Sequence, residues 1–212
     1  MYKYDHLIHS IEKQPAFWGD VLPSFMVYFR GHDCMPDSNL YASYGCYMKE
    51  NFIDRWPHFH TEDEYLCFNG YDMADPWSSF DAEIEFWIGK DRYNMERHII
   101  TEPTIVRLPP FIWHCPLEFT KVKKPVYFQV VCPRGKFGGF LQRPDENGNS
   151  ILEYSGSAGA KPCNLDKTKQ CIFCGKCAKP NEDEPKTAAE ALARINAERQ
   201  PSPQKSGTTD LH

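Results

Sequence analysis

The chain has 212 residues, 41% of them hydrophobic and 25% charged, so it is long enough to bury a core. A net charge of −5 argues against the broad basic surface that nucleic-acid binding requires. No apolar run approaches the ~20 residues of a membrane-spanning helix, and the first residues lack the apolar segment of a signal peptide. We therefore expect one domain with an appendage, bound to neither nucleic acid nor membrane.

Nine cysteines are present, an odd number. Five are scattered through strand-like stretches and four are clustered near the C-terminus. A secreted disulfide framework is more often small, with an even count. This usage indicates buried thiols and a metal site in a reducing compartment, and we expect a cytoplasmic protein.

Residues 1–22 form a lead-in, predicted to be helical or irregular. Residues 23–135 are rich in Val, Ile, Tyr, Phe and Trp in short runs separated by Gly, Pro, Asp and Asn, which is typical of strands. The predicted strands are 25–30, 41–49, 56–60, 64–69, 82–88, 96–101, 104–108, 113–119 and 125–131. So many short strands without a helix between them favour an all-β antiparallel barrel or jelly roll.

The composition changes after the last predicted strand. Residues 136–162 are rich in Gly and polar residues and are predicted to be a linker. Residues 163–180 hold the cysteine cluster. Residues 181–212 are predicted to contain a helix followed by a disordered tail.

The predicted helix covers 187–199. Thr187 and Glu190 have the spacing of a capping box at its start. Its apolar face consists of Ala188, Ala191, Leu192 and Ile195.

Two histidines and a glutamate stand out in the strand region. In a strand, His58 and His60 point to one face and Phe59 to the other. A tight turn after His60 would bring Glu64, at the start of the next strand, beside them. His114 offers a third imidazole. Three nitrogens and one carboxylate suit Fe, Mn, Ni, Co or Zn, and they leave coordination positions for water or substrate.

This spacing resembles a known motif. His58-x-His60, followed by Glu64 after three residues and Gly70 after five more, is similar to the first motif of the cupin superfamily, which has six residues before the glycine. Phe52 stands where that motif begins with glycine.

A second stretch resembles the other cupin motif, Pro-x-Gly-x-x-His with Asn four residues later. Pro109 and His114 match it, whereas Phe111 replaces the glycine and Glu118 the asparagine. The resemblance covers residues 25–132 and implies a cupin-type jelly-roll barrel that dimerises. It also implies one divalent transition metal held by His58, His60, Glu64 and His114.

Other side chains are weaker candidates for lining the barrel. Glu83, Glu85 and Trp87 share one face of a predicted strand. A carboxylate reaching the interior could act as acid or base, with Trp87 beside the substrate. An exposed acidic stripe is the more common outcome.

Three more polar residues lie on neighbouring strands. Tyr127 could act in catalysis and Gln129 could hydrogen-bond a substrate, although filling the core is the commoner role of such residues. Arg107 could hold a substrate carboxylate, or it could be an external charge.

The cysteine cluster has metal-ligand spacing. The Cys-x2-Cys-x2-Cys run is similar to that of ferredoxins, with the fourth ligand coming from upstream. Four thiolates equally suit a structural zinc ion. We therefore expect either zinc or an iron–sulfur cluster, formed by Cys163, Cys171, Cys174 and Cys177.

Two functions remain open at this point. The first is a metal-dependent enzyme of oxidoreductase, lyase or isomerase type that acts on a small oxygenated molecule, since cupins include all of these. The second is a ligand- or metal-sensing module whose cysteine-rich tail docks a partner. We also expect a homodimer, with Phe17 and Trp18 of the lead-in as interface anchors.

Overall fold

The structure is a computed structural model. It describes residues 4–15, 21–23, 25–31, 35, 37–54, 56–134, 138–144, 150–156 and 186–199. Phe17, Trp18 and the whole cysteine cluster lie outside these ranges. Among the described helices, none has the length and apolar character needed to cross a bilayer.

Thirteen strands and one α-helix follow a short 3-10 turn at Asp5–Leu7 in the described part of the chain. They are β1 (Glu12–Pro15), β2 (Phe25–Arg30), β3 (Tyr41–Tyr47), β4 (Asn51–Asp54), β5 (His58–Phe59), β6 (Glu64–Gly70), β7 (Ala82–Gly89), β8 (Met95–Ile100), β9 (Thr104–Leu108), β10 (Trp113–Val122), β11 (Val126–Cys132), β12 (Gly138–Pro144), β13 (Ser150–Gly156) and α1 (Ala188–Arg199).

The strands form two antiparallel sheets. The first sheet has the order β1-β2-β3-β11-β6-β9, and the second has the order β13-β12-β5-β10-β7-β8, with β4 also paired to β10. Side chains alternate between buried and half-buried along β3 and β6, as expected when one face of a sheet packs on a core. The two inner faces meet in one apolar core. The predicted class, an all-β antiparallel jelly roll, is confirmed.

All nine predicted strands are present, as β2, β3 and β5 to β11. The lead-in was expected to be helical or irregular, yet it supplies β1, which pairs with β2.

The predicted linker at 136–162 is a larger departure, since β12 and β13 form a hairpin there. Strand β12 continues the second sheet by pairing with β5, so that Leu141 lies opposite His58. One of the glycines that suggested a linker, Gly139, serves close packing. A Cβ on Gly139 would lie only 3.0 Å from Cε1 of His60.

The predicted helix is observed as α1. Thr187 caps it, because its Oγ1 accepts a hydrogen bond from the Glu190 amide at 3.2 Å. A second cap comes from the barrel, where Oε2 of Glu118 on β10 accepts from the Ala188 amide at 3.0 Å. A negative charge at this end also suits the helix dipole.

Helix α1 packs on the outer side of the second sheet. Ala188 and Ala191 are buried against Phe52, with Trp87 beside them. Small alanines let the helix approach the strands closely. The chain therefore returns to the barrel after the cysteine cluster.

Candidate metal centre

Three imidazoles converge between the two sheets. His58 on β5 and His114 on β10 are direct register partners, and His60 follows β5 by one residue. All three are buried, with 3% or less of each side chain exposed. Their candidate ligand atoms lie within 4.8 Å of one another. The sequence prediction that His58 and His60 point the same way, and that His114 joins them, describes this arrangement correctly.

Each imidazole is oriented by a backbone carbonyl. A carbonyl oxygen can only accept, so the Nδ1 atom facing it carries the hydrogen and Nε2 keeps its lone pair. This orientation is the usual one for histidines that bind a metal through Nε2. The three pairs are His58 Nδ1 with Trp56 O at 2.9 Å, His60 Nδ1 with Gly138 O at 2.7 Å, and His114 Nδ1 with Ile112 O at 3.0 Å.

Glu64 completes the set from the opposite sheet. It begins β6, it is buried, and its Oε2 lies 3.1 Å from Nε2 of His114 and 3.3 Å from Nε2 of His60. With hydrogens on both Nδ1 atoms, these contacts join lone pair to lone pair. Such contacts are repulsive unless a proton or a metal ion lies between the atoms, and the donor set of imidazole nitrogens and a carboxylate fits a metal ion.

The pKa shifts of His58 and Glu64 favour the protonation states that bind a metal, whereas the pKa of His60 is shifted the other way. Burial lowers the pKa of His58 well below 6.5, and His114 and His60 lower it further. Burial opposes ionisation of Glu64, but His60 and His114 outweigh it and hold its pKa well below its usual range. Burial also lowers the pKa of His60, yet the neighbouring Glu64 carboxylate outweighs that effect and the net pKa is raised. His58 is therefore neutral and Glu64 ionised at neutral pH.

Cys132 belongs to the site although the sequence analysis gave it no role there. It ends β11 with its side chain on the inner face, and its Sγ donates to Oε1 of Glu64 at 3.9 Å. Burial raises the pKa of this thiol and the Glu64 charge raises it further, so the thiol remains protonated. The alternation of side chains along β11 could have indicated this position, because Cys132 lies on the same face as Val126 and Phe128, which are buried.

An ion pair supports His60 from outside. Arg134 Nη1 lies 2.5 Å from Oε2 of Glu62, and it donates to the Gly138 carbonyl at 3.1 Å. That carbonyl is the one that orients His60. The pair thus connects the turn after His60 to hairpin β12–β13.

The turn before His114 has a residue with positive φ at the position where the motif it resembles has glycine. Phe111 has φ 67°, in the left-handed region where glycine is favoured. Its amide donates to the His60 carbonyl at 2.8 Å, which ties the two histidine segments together. Phe59, on the outer face of β5, stacks on Phe140 and touches Trp113, so the strand that bears the imidazoles is packed on both faces.

The weaker candidates on β7 lie on the outer face of the second sheet. Glu83 pairs with Lys121 at 2.7 Å on the surface. Glu85 pairs with Arg97 at 2.5 Å and accepts from Nε1 of Trp87 at 2.8 Å, near helix α1. The structure does not bring Glu83, Glu85 or Trp87 to the imidazoles, because Ile84 and Phe86 take the inner face.

The candidates on the first sheet also point outward. Tyr127 contacts Tyr44 with 5.5 Å between ring centroids, and Gln129 is in phase with it. Arg107 is an exposed residue whose guanidinium lies 2.8 Å from Oδ1 of Asp63. None of the three lies beside the metal centre.

Comparison with known proteins gives similarity only among solved structures. No protein-family model and no curated protein matches the chain. A variant of the oxalate decarboxylase of Bacillus subtilis is 11% identical, over 61% of this chain and 28% of that one, with a TM-score of 0.37. CapF bound to 3-isopropenyl-tropolone is 10% identical, over 65% and 32%, with a TM-score of 0.38. The Fe(II) form of HppE is 15% identical, over 58% and 56%, with a TM-score of 0.34. The chain thus spans less than a third of the first two proteins.

Proposed function

We propose that the chain is a metal-dependent enzyme acting on a small oxygenated molecule at a mononuclear site. The observation that supports this most directly is the convergence of three Nε2 lone pairs and a carboxylate in a buried space. A shared metal ion would satisfy all four groups. The proposed ligands are His58, His60, Glu64 and His114.

A bound ion would supply Lewis-acid chemistry, polarising substrate oxygens or activating a small ligand, and Fe, Mn, Ni, Co and Zn all suit this donor set. Reactions of the dioxygenase, isomerase and lyase types use such chemistry. The protein contributes the fixed orientation of the imidazoles and the ionised state of Glu64. It also excludes bulk water, since all four ligands are buried.

The test uses the full chain purified anaerobically. Elemental analysis is expected to find about one transition-metal ion per chain beyond any metal held by the four cysteines. Metal-loaded and chelator-stripped protein are then incubated with small hydroxy acids, oxo acids and phenols, with and without dioxygen, and products are followed by NMR. Turnover that needs the metal and is lost in His58→Ala supports the proposal. Metal binding with no turnover under any condition would contradict enzymatic function.

One observation weighs on the alternative function, a sensing module whose tail docks a partner. The apolar face of α1 is buried within its own chain, since Ala188, Ala191 and Ile195 are each 1% exposed or less. That face is therefore not offered to a partner, which favours the enzyme.

The cysteine cluster stays a separate proposal. We expect Cys163, Cys171, Cys174 and Cys177 to bind zinc or an iron–sulfur cluster in addition to the barrel metal. A visible absorption band in anaerobically purified protein would identify the cluster, and zinc without such a band would identify the structural ion.

A further inference from the structure

The inner face of the first sheet carries one row of polar side chains across four strands. Glu64 on β6 lies next to Cys132 on β11, Cys132 is the register partner of Tyr41 on β3, and Tyr41 is the partner of Arg30 on β2. All four are buried. The row begins at Glu64, which approaches the imidazoles, and ends at the guanidinium group of Arg30.

Arg30 faces the interior and is only 6% exposed. It is in phase with the buried Met26 and Tyr28 of β2, and its guanidinium lies 4.9 Å from the centre of the Tyr28 ring. This contact holds the planar guanidinium group of Arg30 on the inner face of the sheet. Arg107, the arginine that the sequence suggested for this role, lies on the outer wall beside Asp63.

Hydroxyl groups accompany the guanidinium. Tyr41 lies between Arg30 and Cys132 in the row, and it hydrogen-bonds Ser43, its neighbour on the inner face of β3. Burial, first of all, raises the pKa of the Tyr41 phenol, so it stays a hydroxyl. A guanidinium fork with nearby hydroxyls is a common way to recognise a carboxylate.

We propose that Arg30, assisted by Tyr41, binds the anionic end of the substrate, and that the substrate is a small organic acid with metal-binding oxygens at its other end. This inference rests on the proposed function. Three strand spacings of ~4.8 Å separate the backbones of Glu64 and Arg30 by roughly 14 Å along the sheet. The two ends of the substrate are therefore several bonds apart.

The experiment compares acids that share a metal-binding head and differ at the far end. The probes are malate, 2-hydroxyglutarate and 2-hydroxyadipate, each paired with the monoacid of equal length: 2-hydroxybutyrate, 2-hydroxypentanoate and 2-hydroxyhexanoate. Binding to cobalt-loaded full-length protein is measured by calorimetry. At one length at least, the diacid is expected to bind about 10- to 100-fold more tightly than its monoacid, the range that charge-assisted hydrogen bonds supply.

Variants then assign the preference to Arg30. Arg30→Gln is expected to abolish it, and Arg30→Lys, which keeps the charge but loses the fork, to reduce it. Tyr41→Phe is expected to weaken diacid binding without changing monoacid binding. Arg107→Gln is the matched control and is expected to keep the full preference.

The outcomes separate the two proposals. Equal binding of diacids and monoacids at all three lengths, or a preference that survives Arg30→Gln, overturns the role of Arg30 while the metal site stands. Failure of the wild-type barrel to bind cobalt overturns both. If Arg30→Gln does not fold, the comparison of diacids with monoacids in the wild type and in Arg30→Lys tests the role of Arg30. A preference for diacids that is unchanged in both Arg30→Lys and Tyr41→Phe would overturn the inference.

Discussion

The two ends of the barrel interior are built from the same strands but differ in chemistry. At one end the inner face of the first sheet carries Glu64, Cys132, Tyr41 and Arg30, and Glu64 lies beside the imidazoles. Two rows further along, Phe68 and Phe128 are register partners with ring centroids 4.9 Å apart, and Phe119 of the second sheet joins them.

The contrast shows how one barrel divides its tasks. The aromatic end buries apolar surface and supplies stability. The polar end buries charges, which costs free energy unless they have partners or bind ligands. Strands β6 and β11 are long enough to serve both ends, so substitutions at the two ends should have separable effects.

The largest expected effect is at the polar end. The double substitution His58→Ala, His60→Ala removes two of the three imidazoles, and metal content measured by elemental analysis is expected to fall by about one ion per chain, leaving only metal held by the four cysteines. His98→Ala, at an exposed position on β8, is the control and should bind a full equivalent. Full occupancy of the barrel in the double variant would refute the proposed site.

A substitution at the aromatic end should lower the stability of the fold and leave metal binding largely unchanged. Phe68→Ala leaves a cavity against Phe128 and Phe119, and it is expected to lower the free energy of unfolding by about 3–5 kcal/mol, measured with denaturant. Metal affinity of the folded protein should change little. Ile105→Ala, on the exposed outer face of β9, should cost less than about 0.5 kcal/mol. If Phe68→Ala abolished metal binding in folded protein, the two ends would not be separable.

The pH dependence of metal binding sharpens the description of the polar end. The pKa of His60 is raised above 6.5, so below that raised value His60 must release its proton for a metal to bind. His58 is already neutral and Glu64 already ionised in this range, because both have lowered pKa values. Affinity should therefore fall about tenfold per pH unit as the pH drops, with one proton released per ion. Competition titrations between about pH 8 and pH 5.5 measure this slope. Release of two protons would show that a second ligand is protonated.

The smallest expected effect lies outside both ends. Glu118→Ala removes the carboxylate that accepts from the Ala188 amide, and it should lower stability by about 1 kcal/mol. Hydrogen exchange in the first turn of α1 should become faster while metal binding is unchanged. Glu83→Ala, a surface carboxylate paired with Lys121, is the matched control and should leave α1 protected. A loss of metal in Glu118→Ala would show that the helix cap is coupled to the site.

Much of the site could be predicted because its strand pattern is unambiguous. His58 and His60 lie on either side of Phe59, two residues apart, so they share one face of a strand. Glu64 begins a strand in which buried and half-buried residues alternate. The apolar alternation on β7 likewise assigns Ile84 and Phe86 to the interior.

The sequence did not indicate the inner face of a strand where both of its faces are equally apolar. In β2, Val27 and Phe29 are as apolar as Met26 and Tyr28, so nothing in the sequence places Arg30 on the inner face. On β11 the face of Val126, Phe128 and Val130 is the inner one, and Tyr127 and Gln129 lie on the outer face. Hairpin β12–β13 was missed because glycine is typical of linkers as well as of close approach, and only the position of Gly139 against His60 distinguishes the two.

The docking of α1 has a consequence for the cysteines between β13 and the helix. Because strand β13 and helix α1 are both attached to the barrel, the entropy lost in holding these two attachment points in place depends on the length of chain between them. An ion or cluster that joins Cys163 to Cys177 would remove roughly half of that length, and each halving is worth about 0.6 kcal/mol. Metal bound by the cysteines would thus tighten the hold of α1 on the barrel without touching it, and loss of that metal would loosen it.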